Sequence, residues 1–111
     1  MQPITTLKAR ADFLRLNRGR KYVTPFFILR SMANPAGEGT RVGYTVTTKC
    51  GNAVIRNRIK RRLRALVREL SGETKSGMDY VFIALAQADP NAADAPYDEL
   101  RAAMRKALAS T

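Results

Sequence analysis

The chain has 111 residues, enough for one modest core and too few for a second. Its 20 Lys and Arg against 9 Asp and Glu leave a formal charge of +11, which calls for a polyanionic partner. With no histidine and one cysteine, the sequence excludes a histidine base, a Ser-His or Cys-His pair, an intrachain disulfide and a plausible zinc site. Residues 6–18 read as a first helix, with Thr6 as N-cap, Gly19 as the stop, and Lys8 and Asp12 as an i,i+4 pair. Ala9, Phe13 and Leu16 share one face of it, and Leu7, Ala11 and Leu14 form a neighbouring stripe. Residues 21–32 read as strand, with Pro25 marking an edge, a break or a start. Alternation there predicts that Phe26 and Phe27 point to opposite faces.

Asn34 to Gly39 is rich in turn residues and reads as a loop. Residues 41–48 alternate, with Val42, Tyr44 and Val46 on one face and Gly43, Thr45 and Thr47 on the other. That pattern predicts a half-buried strand paired antiparallel with its predecessor. Residues 53–70 give the clearest helix, capped by Asn52 and followed by Gly72. Asp79 to Ala86 reads as a buried strand, and Pro90 to Ala95 as a loop. Pro96 suits the first turn of a last helix whose inner face is Tyr97, Leu100, Met104 and Leu108. The expected fold is α+β: a small, mainly antiparallel sheet packed with three helices in the order α-β-β-(β)-α-β-α, over residues 1–111 as one domain. No apolar run nears the ~20 residues of a membrane helix, and the first residues carry no apolar signal core. The expectation is a soluble cytoplasmic protein with no membrane partner and no small-molecule substrate.

The most informative stretch is residues 51–70. At 100° per residue, Ile55, Ile59, Leu63, Leu66, Val67 and Leu70 fall within a sector of about 120°, the core face. Arg56, Arg58, Lys60, Arg61, Arg62, Arg64 and Arg68 cover the rest, with Glu69 as the one acidic neighbour. Like charges at i,i+4 repel, so so one-sided a helix needs a partner to neutralise it. Arginine points to nucleic acid, because its planar fork grips phosphate and stacks on bases. Asn57 can donate and accept at once, which suits a base edge or a sugar hydroxyl. Cys50, just before this helix, reads as structural or incidental.

Gly51 through Arg61, with the core Arg56-Asn57-Arg58, resembles the signature of the bacterial ribonuclease P protein family. Arg41 to Val46 with Lys49, Leu7-Lys8 through Asp12-Phe13 to Gly19, and Asp79 to Ala84 resemble that family's flanking segments, so the likeness spans the chain. The resemblance implies the protein subunit of a ribonucleoprotein that removes the 5′ leader of precursor tRNA. Catalysis and its Mg2+ ions then belong to the RNA subunit, with no catalytic residue and no metal site on this chain. It assigns Arg56, Asn57, Arg58, Lys60, Arg61 and Arg64 to the catalytic RNA. It assigns Phe13, with Lys8 and Lys49, to the precursor-tRNA leader. It also implies a left-handed crossover from strand to signature helix to last strand, against the right-handed hand of about 98% of parallel crossovers. Two positions depart from the family pattern: Asn17 stands where a second aromatic is frequent, and Thr48 where a second lysine is. Phe13 also has a plain reading as a core residue. A structural RNA-binding protein, such as a ribosomal protein, would share the charge and the architecture. An autonomous nuclease would need the carboxylate cluster or histidine that the sequence lacks.

Overall fold

The computed structural model describes residues 4–35, 37 and 39–111. Among them, strands β1 (Ile4–Thr6), β2 (Arg20–Val23), β3 (Phe27–Ala33), β4 (Thr40–Thr45) and β5 (Met78–Ala84) form one sheet in the order β1-β4-β5-β3-β2. Helices α1 (Arg10–Leu16), α2 (Ala53–Glu69) and α3 (Tyr97–Ala109) complete the α+β fold. The sheet is mixed: β1 and β5 lie parallel to β4, whereas β3 is antiparallel to both β5 and β2.

Three features differ from the sequence reading. The strands before and after the Asn34 loop do not pair with each other; β5 sits between them. The apolar run of β5 is the reason, since only a central strand covered on both faces can bury Tyr80, Val81 and Phe82 together. The first helix is shorter than residues 6–18. Ile4-Thr5-Thr6 is instead an edge strand on β4, and Leu7 N continues the ladder to Val42 O at 2.9 Å. Thr6 is therefore no N-cap; Ala9 holds that position without a side-chain bond, and Lys8 lies outside the helix. Leu14 is 54% exposed, so the Leu7, Ala11 and Leu14 stripe does not exist. Thirdly, Phe26 and Phe27 are not split across the sheet. Phe26 precedes β3, in a turn where the Thr24 hydroxyl accepts from the Phe26 and Phe27 amides, and both rings enter the main core.

Strand alternation sorts the sheet into two faces. Register pairs Phe27 with Ala84, Leu29 with Phe82, and Tyr44 with Phe82, all toward α2 and α3. There Phe27 and Phe82 meet edge to face at 5.2 Å, over Ile59, Leu63, Leu66, Leu100, Met104 and Leu108. The opposite face carries Arg41, Gly43, Asp79, Val81 and Ile83, and the seven-residue α1 lies against it. Its cluster is small: Leu7, Leu16 and Val81, with Phe13, Met32 and Ile83 against them.

Candidate nucleic-acid interface

Helix α2 begins as its sequence predicts. Asn52 caps it, its side chain accepting from Ile55 N at 3.0 Å. Gly51 precedes the cap at φ 144°, and a Cβ there would stand 3.0 Å from the Ile55 side chain, so the tight entry into α2 requires glycine. Ile59, Leu63, Leu66 and Val67 are buried against the sheet, fixing which sides of the helix remain free.

The cations then divide into two flanks. On the α3 side, Arg62 is taken up by the fold. It donates to Ala92 O at 2.6 Å and Ala95 O at 2.5 Å, and lies 5.4 Å from the Tyr97 ring centroid. Arg58 on the same side pairs with Asp94 at 3.6 Å, an exposed ion pair of small worth. Glu69 takes two hydrogen bonds from Arg101 of α3, which hold its carboxyl below the usual carboxylate range. On the other side stand Asn57, Lys60, Arg61, Arg64 and Arg68. Among the described residues none of these four cations has a carboxylate partner. Arg56 folds back to donate to Gly51 O at 3.2 Å.

Of the remaining predicted residues, Phe13 packs against the small cluster on the α1 face. Phe13 is half-buried, and its ring rests on β4 where the strand has no side chain. A Cβ at Gly43 would come within 2.7 Å of Phe13 Cζ. Lys8 leaves the strand ladder just after Leu7, and Lys49 sits in the short turn Thr48–Cys50 after β4; both are exposed. Because β1 and β4 are parallel, the two lysines lie toward the same end of the sheet. Beyond Phe13 the face stays open, with Ile28 and Ile83 half-buried and Val23 59% exposed. Lys21 and Arg30 stand opposite each other on that face. Cys50 is buried in the main core.

One polar cluster escaped the sequence reading. Asp79 is fully buried in β5, and Arg41 grips it with two bonds, Nε to Oδ1 at 2.8 Å and Nη2 to Oδ2 at 2.6 Å. Arg15 of α1 donates to the same carboxylate, and Asp12 lies 3.5 Å from Arg41. The bond to Asp79 raises the Arg41 pKa above its ordinary value. This network ties α1 to the sheet and removes Arg15 and Arg41 from the free cations. An aspartate at a strand start gives no local sign of such burial. Its carboxylate is fully occupied by the two arginines, and the described residues bring no three His, Cys, Asp or Glu side chains together.

Comparison with known proteins gives the family. The ribonuclease P family model matches residues 1–111. The ribonuclease P protein component of Gluconacetobacter diazotrophicus is 41% identical over 103 residues, 91% of this chain and 89% of that one. The Staphylococcus aureus RNase P protein structure superposes with TM-score 0.78 at 27% identity, covering 93% of this chain and 91% of that one. The Thermotoga maritima RNase P protein shares the fold at TM-score 0.81 and 24% identity, over 96% of each chain. The chain belongs to the ribonuclease P protein family and is a subunit of that tRNA-processing ribonucleoprotein.

Proposed function

We propose that this subunit grips the catalytic RNA with the unpaired flank of α2 and guides the 5′ leader of precursor tRNA along the open face beside α1. The observation that carries the first half is the division of α2. Arg62 and Arg58 face α3 and its preceding loop, whereas Asn57, Lys60, Arg61 and Arg64 face outward with no carboxylate among the described residues. Each phosphate they neutralise releases counterions, so affinity falls steeply with salt. Arg56 and Arg58 join them at the start of the helix, more weakly because each already has a partner. For the leader, an aromatic with lysines nearby makes a single-strand platform, which fits Phe13, Lys8 and Lys49. The chemical step and its Mg2+ ions reside in the RNA subunit, and this chain works in the cytoplasm as a positioning element.

The test is reconstitution. The recombinant chain with its cognate RNA, on precursor tRNA at low magnesium, is expected to release the leader; the RNA-free chain is expected to release none. Cleavage that tracks the RNA-free protein through successive column fractions would overturn the assignment of catalysis. Arg61→Ala is expected to weaken binding to the RNA subunit and flatten the salt slope by about one unit. Arg58→Ala is expected to do less, since Asp94 already partly neutralises it.

A further inference from the structure

The free flank of α2 does not end with the Arg56-Asn57-Arg58 motif. Two turns further on, Arg64 lies with its guanidinium 5.8 Å from the centroid of the Tyr44 ring of β4. Tyr44 in turn stacks on Phe82 at 6.0 Å and 16°. The ring is thus fixed from below by the core and presents Arg64 from above, so the guanidinium is held in place before any partner arrives. Arg68 follows Arg64 at i,i+4, on the same side of the helix. Two like charges at that spacing repel, and no carboxylate among the described residues relieves them. A cation in the last turn does complement the helix dipole, but that accounts for Arg68 alone, not for the pair.

Tyr44 also carries an uncommitted donor. The Tyr44 hydroxyl has no hydrogen-bond partner among the described residues, although the ring is largely covered. Burial pushes its pKa up to about 12, against the opposing pull of Arg64 and Arg68. It therefore stays a neutral O–H donor beside two cations, a set of groups with donors and no negative charge.

We infer that Tyr44, Arg64 and Arg68 form a phosphodiester-binding site for the RNA subunit at the seam between β4 and α2. The two guanidinium groups supply charge and forked donors, and the phenol supplies a third hydrogen bond that a phosphate oxygen accepts. The inference rests on the reading that α2 contacts the RNA subunit, and it extends that contact from the Asn57 end of the helix to its last turn and onto the sheet.

The experiment measures affinity of the full chain for the RNA subunit across a salt series, beside a denaturation midpoint for each variant. Tyr44→Phe keeps the ring, the stack on Phe82 and the cation–π contact, and removes only the hydroxyl. It is expected to bind roughly ten-fold more weakly, with an unchanged salt slope and an unchanged or higher midpoint. Arg68→Ala is expected to flatten the slope by about one unit, whereas Arg68→Lys keeps the slope but not the full affinity. The double variant Tyr44→Phe with Arg68→Ala is expected to lose less than the product of the single losses, because both groups hold one phosphate. Parental affinity and slope in Tyr44→Phe and Arg68→Ala, with Arg61→Ala still weakened, would overturn this site and leave the α2 reading standing. Parental binding in all three would overturn both.

Discussion

The two faces of the sheet are built to different standards. Toward α2 and α3, buried side chains of β3, β4 and β5 meet two long helices, and Phe27, Phe82, Ile59, Leu63, Leu100 and Met104 are fully buried. Toward α1, one short helix covers part of the surface, its cluster has three buried residues, and Val23 and Ile28 remain accessible beside it. The difference teaches where stability and recognition are separated. One face supplies the burial that holds a 111-residue chain together, so the other can keep apolar and aromatic surface open, as the proposed leader path requires.

The largest expected effect breaks the comparison directly. Phe82 and Ile83 are neighbours on β5 but point to opposite faces. Phe82→Ala is expected to cost ~3–5 kcal/mol, because a fully buried ring leaves a cavity its neighbours cannot fill. Ile83→Ala removes a half-buried side chain at the edge of the open face and is expected to cost about 1 kcal/mol. Urea midpoints with unchanged m-values would measure both. Equal losses would mean that the α1 face is a second core.

The ion network under α1 comes next. Asp79 is fully buried, whereas Arg41 and Arg15 are 30% and 26% exposed at their side chains. Removing both arginines strands a carboxylate in the interior, so Arg15→Met with Arg41→Met is expected to cost ~3 kcal/mol or more. Asp79→Asn leaves two cations that can turn to water and to Asp12, and is expected to cost about 1–2 kcal/mol. An Asp79→Asn loss larger than that of the double arginine variant would reverse the assignment of which partner is dependent.

How much of this was legible follows the range of the forces involved. Helix α2 could be read residue by residue, because its cap, its apolar period and its lack of acidic neighbours are local. Asn52 caps it, and Ile59, Leu63, Leu66, Val67 and Leu70 are buried as their spacing implies. Its outward residues Asn57, Lys60, Arg61 and Arg64 were legible for the same reason. The separate fates of Arg62, taken by the 92–95 carbonyls, and Arg68, left free, were not, because only the position of α3 distinguishes them. Strand order was equally hidden. Ile4-Thr5-Thr6 becomes β1 only because β4 offers an unpaired edge, and β5 enters between β3 and β4 from far along the chain. Phe26 defeats alternation because Thr24 turns the backbone before the strand starts.

A modest expected effect on stability is paired with the sharpest expected effect on function at Phe13. The ring is half-buried over Gly43, so it belongs partly to the small cluster and partly to the open face. Phe13→Ala is accordingly expected to cost less than the ~3–5 kcal/mol of a core phenylalanine, about 1–2 kcal/mol. In the reconstituted enzyme it is expected to weaken binding of precursor tRNA by roughly 1–3 kcal/mol, the worth of one base–aromatic stack, with little effect on mature tRNA, which has no leader. Phe13→Leu separates the two roles: it is expected to restore most of the stability and little of the leader-dependent affinity. Gly43→Ala tests the same geometry from below, because its methyl group would meet the ring at 2.7 Å and push it out of place. A large midpoint loss in Phe13→Ala, with equal weakening on both RNAs, would move Phe13 into the core. Leader guidance would then fall to Lys8, Lys49 and the open strand surface alone.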